Sequence, residues 1–142
     1  MFTHYMVYKD LLNNYRSLYG SNIILLFQVG CKYEIYGDNN KDIQAISRIS
    51  GLVWMKKTKY INSKEPEKFE FYVTNIGKDE LNRYVDLILK ENFIVILYNE
   101  DNITDQNLLK TRYVSYIKFP NKTVEVENEY VLIPEEESYI IV

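Results

Sequence analysis

A nearly unbroken apolar run from Ile23 to Val29 is the feature of the sequence that most constrains the fold. Such a run is typical of a β-strand that is buried on both of its faces. Gly30 follows the run and allows a tight turn. Lys32 to Tyr36 then alternates polar and apolar residues, which indicates a second strand. The sequence therefore predicts a β-hairpin whose first strand lies in the interior of the domain.

Amphipathic periodicity predicts helices on either side of this hairpin in the sequence. From Thr3 to Tyr19, tyrosines and leucines recur at steps of three and four residues, and Gly20 is a suitable stop. Lys78 to Asn92 carries a single apolar stripe, with acidic residues in its first turn where the helix dipole favours them. A shorter helix is predicted from about Lys41 to Ile49.

The remaining apolar segments predict further strands, at Leu52–Lys57, Phe69–Thr74, Phe93–Tyr98 and, as the last strand, Tyr113–Phe119. The lysine-rich Thr58–Lys68, which contains Pro66, is predicted to be a loop, and Asn75–Gly77 a turn. Because helices and strands alternate, we expect a mixed α/β domain. Its mixed sheet would have about six strands, with about three helices packed against it.

Length and composition narrow the class of protein. A chain of 142 residues indicates one domain, and 46% hydrophobic with 15% aromatic residues indicates a globular one. The clean apolar runs reach only about five residues, against the roughly 20 that a membrane span needs. The N-terminal segment lacks the pattern of a signal peptide. The single cysteine, Cys31, excludes an internal disulfide and favours an intracellular, reducing compartment such as cytoplasm, nucleus, nucleoid or viral factory.

The residue types that carry most enzyme chemistry are scarce in this chain. His4 is the one histidine and Cys31 the one cysteine, and neither has a partner of the other type nearby in sequence. No nucleophile–base pair or metal-ligand set can be assembled from them. The pattern of a phosphate-binding loop is absent. We therefore expect no catalytic activity, no metal and no cofactor.

The charge is unevenly distributed. The net charge of −3 argues against a simple nucleic-acid-binding protein. However, Val124–Val142 contains six glutamates and no Lys or Arg, and removing those six leaves 17 basic residues against 14 acidic ones. The body of the chain, Met1–Thr123, is thus positive, and the acidity belongs to the tail.

Three segments, in this order, resemble the N-terminal domain of the MutS family of DNA mismatch-repair proteins. Ile24–Tyr36 is similar to the family's apolar strand, its glycine and the strand that opens with a Phe-x-Glu motif. Trp54–Lys59 is similar to a strand ending in a Thr-Lys-Arg-like stretch. Phe71–Gly77, with the helix and strand after it, looks like the family's small-residue turn and its continuation. Tyr113–Thr123 resembles the end of the family's domain, so the resemblance covers about residues 5 to 123.

The resemblance implies a contact with double-stranded DNA. In the family this domain lies against the minor groove, where the Phe wedges beside a mispaired base and the Glu hydrogen-bonds to it. Alignment on Gly30 and Glu34 places Lys32 at the wedge position, with Tyr33 between the two. A lysine cannot stack as an aromatic ring does, but it can reach a phosphate. We expect Lys32 and Glu34 to contact DNA, with reduced or altered mismatch specificity. Tyr33 is a further candidate for DNA contact, but strand alternation turns it to the opposite face, where it suits a core position better.

A cluster of lysines predicts a second, phosphate-facing patch. Several lysines on one segment raise the affinity for DNA more than a single lysine does, because each neutralised phosphate releases counterions. The alternative is a loop that only keeps the protein soluble. Trp54 and Tyr60 flank the cluster and can stack on bases, although Trp54 also suits a core position. The cluster comprises Lys56, Lys57, Lys59, Lys64 and Lys68.

These observations divide the chain into a DNA-contacting domain, residues 1–123, and an acidic tail, residues 124–142. The tail either begins a following connector domain or folds back to complete this domain's sheet or bind a partner. The family's ATPase region is absent. A second functional hypothesis is therefore a repurposed MutS-like domain, for example in a virus or mobile element, that acts as a protein-interaction or structural module.

Overall fold

The computed structural model describes residues 2–37, 44–48, 51–60, 68–104, 109–124 and 130–134. They form a mixed α/β domain, as the sequence predicts, with eight strands in one sheet. The strands are β1 (Ile23–Val29), β2 (Lys32–Gly37), β3 (Met55–Tyr60), β4 (Lys68–Gly77), β5 (Ile94–Thr104), β6 (Leu109–Phe119), β7 (Lys122–Val124) and β8 (Tyr130–Pro134). The helices are α1 (Phe2–Tyr19), α2 (within residues 44–48) and α3 (Leu81–Lys90), and a 3₁₀ turn (Lys78–Glu80) precedes α3.

The sheet is built around β1. Its order is β3-β4-β2-β1-β5-β6-β7, and β8 also pairs with β6. β1 and β5 run parallel, with Ile23 opposite Ile94, and every other pair is antiparallel. All residues from Ile23 to Phe27 are buried. The prediction of a strand covered on both faces is therefore confirmed.

Helix α1 covers one face of the sheet with a stripe of tyrosines. Each ring packs on an aromatic residue of a different strand, so the helix crosses the strands from β4 towards β6. Aromatic pairs of this kind contribute about 0.5–1.5 kcal/mol each beyond simple burial. The pairs are Tyr5 on Phe71 of β4, Tyr8 on Phe27 of β1, Tyr15 on Tyr98 of β5 and Tyr19 on Phe119 of β6.

Helix α3 covers the other face. Tyr98 faces α1, so the alternation of the strand turns its neighbour Leu97 away from α1, together with Tyr116, which lies opposite Leu97 on β6. Burial, with smaller contributions from Tyr33 and from Asp86 of α3, raises the pKa of Tyr116 to about 12. The Tyr116 hydroxyl is therefore close to α3. The residues of this face alternate along each strand with those that contact α1.

The β1–β2 hairpin is confirmed, and its turn has two residues. Val29 lies opposite Lys32, which leaves Gly30 and Cys31 as the loop. Gly30 has a φ of 63°, in the left-handed region that glycine enters without steric penalty. Cys31 has no positive φ, and a positive φ at the first loop residue alone is the pattern of a type II′ turn, whose twist suits a hairpin.

The predicted boundaries around β3 and β4 are wrong. The third strand is Met55–Tyr60 and not Leu52–Lys57, so Thr58–Tyr60 belongs to a strand and not to the predicted loop. Asn75–Gly77 is not a turn, because these residues end β4 and pair with β2. Ladder hydrogen bonds and a solvent-facing edge allow polar, lysine-rich sequence to form a strand. Lys68, the last residue of the predicted loop, begins β4. The rest of that loop, residues 61–67, lies outside the described residues.

The chain after Tyr98 contains more strand than the sequence predicts. β5 continues through polar residues to Thr104, and Tyr113–Phe119 is not the last strand. β7 pairs with Phe119 and its neighbours, and β8 pairs with the start of β6, from Leu109 to Tyr113. Tyr130–Pro134 of the tail therefore completes this sheet, which is one of the two alternatives for the tail. Residues 125–129 and 135–142 lie outside the described part, as do 41–43 and 49 of the predicted short helix.

Among the described residues, no helix combines the length and the apolar character that a membrane crossing requires.

Candidate nucleic-acid interface

The hairpin carries the two residues aligned with the family's DNA-contacting motif. The Lys32 side chain is exposed at the beginning of β2. The Glu34 carboxylate is half-buried on the α1 face and accepts a hydrogen bond from the Tyr36 hydroxyl. Burial and the adjacent Glu34 carboxylate raise the pKa of Tyr36 far above its ordinary value of 10.0. Lys32 is therefore accessible to a ligand, whereas Glu34 is held by a neighbour within the domain.

Tyr33 lies on the opposite face of the hairpin. It is only 4% exposed, and its hydroxyl donates to Asn99 Oδ1 at 2.6 Å. Burial, with smaller contributions from Tyr113 and Glu100, raises its pKa. This is a core position, so insertion of the Tyr33 ring between DNA bases would require the sheet face to open.

A buried polar network, which the sequence did not reveal, fixes the hairpin turn. The Glu100 carboxylate accepts hydrogen bonds from the Gly30 backbone N–H at 2.9 Å and from Arg112 Nη2 at 3.3 Å. Arg112 Nε donates to the Gln28 carbonyl at 2.9 Å, and the Gln28 side-chain oxygen accepts from the Glu100 backbone N–H at 2.8 Å. These residues are far apart in sequence, and no local pattern could have paired them. The network holds the turn against β5 and β6.

A second element projects at the end of β2 that is far from the hairpin turn, where β3 and β4 extend beyond β2. β2 pairs with β4 only from Tyr72 to Gly77, whereas β3 continues to pair with β4 as far as Tyr60 opposite Lys68. Residues 57–60 and 68–71 therefore form a two-stranded ribbon that pairs with no other described strand, called the ribbon below. At its base Phe71 is buried against Tyr5 of α1. Four residues per strand give it a described length of about 13 Å.

The two faces of the ribbon differ in their ion pairs. On one face, Glu70 lies between Lys56, at 3.2 Å, and Lys68, at 2.7 Å. Hydrogen bonds from both lysines hold the pKa of Glu70 below its ordinary value. Lys57 and Lys59, on the other face, form no ion pair with any residue in the described part of the chain. On this second face Lys59 is exposed, whereas Lys57 is half-buried opposite the buried Phe71, so an anion can approach Lys59 more freely than Lys57.

The two aromatic residues that flank the lysines have different roles. Trp54 packs against the core, and its indole N–H donates to Ser47 Oγ of α2 at 2.7 Å. It is a structural residue. Tyr60, at the outer end of the ribbon, is 63% exposed. Of the predicted stacking residues, only Tyr60 presents its ring to a ligand, and Lys64 lies outside the described residues.

The hairpin and the ribbon are separate sites. Lys32 lies opposite Gly77, the last residue of β4, and Lys59 lies opposite Phe69, near its beginning. Eight residues of extended chain separate those two levels, or about 26 Å. The structure therefore brings together the lysines of the ribbon but does not join them to Lys32.

The histidine and the cysteine are not brought together by the fold into an evident site. His4 is buried on α1, and Cys31 is exposed in the hairpin turn. Within the described ranges, no three His, Cys, Asp or Glu side chains are grouped closely enough to hold a metal ion. No family model matches this chain, and no curated protein matches it. The geometry thus defines two separate groups of basic residues at the surface, Lys32 on the hairpin and the lysines of the ribbon.

Proposed function

We propose that this chain is a DNA-contacting domain that holds duplex DNA by its phosphates, as its resemblance to the MutS N-terminal domain implies. The observation that carries the proposal is the projecting ribbon, where Lys57 and Lys59 have no carboxylate partner among the described residues. Lysines placed in this way neutralise phosphates and release counterions, which favours association. Lys32 provides a second, separate point of contact.

Mismatch recognition by this domain would be weak. An aromatic wedge at a mismatch must be exposed, because it has to enter the base stack. On β2 the side chain at the wedge position is Lys32, and both tyrosines of the strand, Tyr33 and Tyr36, are buried. Contact in the minor groove at this hairpin would therefore position the domain without unstacking a base pair.

Fluorescence anisotropy with labelled duplexes of about 20 base pairs tests the proposal. One duplex is fully paired and the other carries a single mismatch, and both are titrated at several salt concentrations between about 50 and 200 mM. We expect affinity to fall with salt for both duplexes. The variant Lys57→Gln/Lys59→Gln should reduce the slope of log affinity against log salt by up to about 1.8, and Lys32→Gln by up to about 0.9.

Lys90→Gln is the matched control, because Lys90 is exposed at the end of α3, outside both sites. It should retain the wild-type slope. If the wild-type chain binds neither duplex at any of these salt concentrations, the proposed function is wrong.

A protein-interaction module is the second candidate, and the position of β8 favours it. β8 lies at the sheet edge opposite β3, and the chain on both sides of it carries six glutamates. Truncation at Thr123 would also remove β8 from the sheet, so a loss of partner binding could come from a damaged fold. Replacing all six glutamates with Gln keeps β8 and tests whether their charge binds a partner. This candidate is supported only if DNA binding is absent and a partner bound by the wild-type chain is lost by that variant.

A further inference from the structure

We infer that Gln28 is a positioning residue for the contact between Lys32 and DNA, because its side chain fixes the turn from which Lys32 extends. The inference rests on the proposed function and deepens it, since it names what holds the hairpin contact in place. Gln28 is half-buried near the end of β1 and lies opposite Tyr33. It would therefore act on DNA binding through the turn.

Side chains of other residues bind both backbone groups of Gly30. Gln28 Nε2 donates to the Gly30 carbonyl at 3.0 Å, and the Glu100 carboxylate accepts the Gly30 N–H at 2.9 Å. The two side chains are also linked to each other, because Gln28 Oε1 accepts the Glu100 backbone N–H at 2.8 Å. These three hydrogen bonds form a closed ring. A fully satisfied network of this kind restricts the motion of the turn.

Lys32 depends on this ring because it lies at the last rung of two strand ladders. It pairs with Val29 of β1 on one side and with Gly77 of β4 on the other. Beyond it only the turn remains, where the Lys78 backbone N–H donates to the Cys31 carbonyl at 3.1 Å. The ends of ladders and their loops are where a fold opens most readily. The hydrogen-bonded ring therefore holds the backbone of Lys32 in place.

A fixed backbone lowers the cost of holding the Lys32 side chain against a phosphate. The side chain is exposed and forms no ion pair with any residue in the described part of the chain. Binding has to order this side chain, and a mobile turn would add the cost of ordering the backbone. Loss of the Gln28 hydrogen bonds should therefore weaken binding roughly twofold to tenfold through Lys32 and leave the contact at the ribbon unchanged.

A double-mutant cycle measured by fluorescence anisotropy with the fully paired duplex tests this coupling. Gln28→Ala is introduced into the wild-type chain, into Lys32→Gln and into Lys57→Gln/Lys59→Gln. We expect the loss of affinity in the first and third backgrounds and no further loss in Lys32→Gln. A general loss of folded protein would instead weaken binding by the same factor in all three. Gln44→Ala is the matched control, because Gln44 is exposed on α2, and it should bind as the wild type does.

A nitroxide spin label on Cys31 reports the mobility of the turn in the absence of DNA. Cys31 is the one cysteine of the chain, and it is exposed in the turn. Electron paramagnetic resonance spectra should show a faster-moving label in Gln28→Ala than in the wild-type chain or in Gln44→Ala. Gln28→Met keeps the length of the side chain but neither hydrogen bond, so it should give the same result as Gln28→Ala. Circular dichroism spectra establish that each variant is folded.

The inference fails if the label is equally mobile with and without the Gln28 amide. It also fails if both Gln28 variants keep the wild-type affinity, or if they weaken binding as much in Lys32→Gln as in the wild-type chain. Absence of duplex binding by the wild-type chain refutes the proposed function, and the role of Gln28 in DNA binding with it. The spin-label spectra then still decide whether Gln28 fixes the turn, so the two failures are distinguishable.

Discussion

Arg112 and Glu100 form an ion pair in the interior of the domain, with Nη2 of the arginine 3.3 Å from the carboxylate. The side chains are only 1% and 11% exposed. The same carboxylate accepts the Gly30 N–H of the hairpin turn. The guanidinium also lies 5.9 Å from the centre of the Phe27 ring. One buried pair therefore connects the β5–β6 strands to the turn that presents Lys32.

We expect Arg112→Ala to lower the free energy of unfolding by about 3–5 kcal/mol, because it removes the guanidinium that pairs with a buried carboxylate. Arg83→Ala is the control, since Arg83 and Glu80 form an exposed pair at 2.7 Å, and solvent screening leaves such a pair with little effect on the free energy of unfolding. Urea denaturation followed by circular dichroism measures both. Equal, small effects of the two substitutions would show that the buried pair does not stabilise the turn.

Gly30→Ala should destabilise the chain by about 1–2 kcal/mol, because a residue with a Cβ is disfavoured at positive φ. A Cβ at Gly30 would meet no atom within 4 Å, so the effect is one of backbone conformation alone. Gly77→Ala is the matched control: Gly77 has a φ of −63° and equally open surroundings. Thermal denaturation should show a clear loss for the first variant and no loss for the second.

Ionisation of the Tyr36 hydroxyl should leave the free energy of unfolding unchanged below pH 10 and should lower it above pH 10. The pKa of Tyr36 is raised in the folded chain above its ordinary value of 10.0, so above pH 10 the folded state retains a proton that the unfolded state loses. The stabilisation is present in full below pH 10 and is lost above it at about 1.4 kcal/mol per pH unit. Urea titrations at successive alkaline pH values measure it, and Tyr36→Phe should make the decline shallower by that amount. An identical decline in that variant would contradict this account.

Glu70→Gln should tighten duplex binding. The substitution removes the carboxylate that holds Lys56 and Lys68 and leaves two lysines on that face of the ribbon. One charge less, acting on a phosphate at close range in water, corresponds to roughly a threefold to tenfold gain at low salt. Anisotropy at about 50 mM salt should show the gain, and raising the salt should diminish it. Glu91→Gln, at an exposed position after α3, should bind as the wild type does.

Lys32→Phe should introduce a preference for mismatched DNA. The substitution places an aromatic ring at the exposed position that the resemblance aligns with the family's wedge, while Glu34 stays in place. We expect the ratio of mismatched to fully paired affinity to rise severalfold above that of the wild-type chain, at fixed salt. Lys32→Leu, which is apolar without a ring, separates stacking from simple loss of charge. If neither ratio changes, the hairpin does not reach the base pairs.

The elements that the sequence determined are those with strong local signals. The tyrosine periodicity of α1, the apolar run of β1 and the glycine turn specify helix, buried strand and hairpin through short-range packing and backbone preference. The mixed α/β class follows from their alternation. The contact of Lys32 with DNA stays a prediction from its position relative to Gly30, and the structure adds that its side chain is exposed.

The tertiary structure decided how distant segments pair and which of their side chains are buried. Lys57 and Lys59 were predicted as strand end and loop, yet pairing with β4 makes them one face of a projecting ribbon. Tyr33 and Tyr60 are both tyrosines near lysines, and only the sheet decides that the first is buried and the second exposed. The pairing of Glu100 with Arg112 and the addition of β8 beside β6 likewise depend on long-range contacts. Hydrogen bonds between strands and burial from both faces are properties of the assembled sheet, so no window of the sequence contains them.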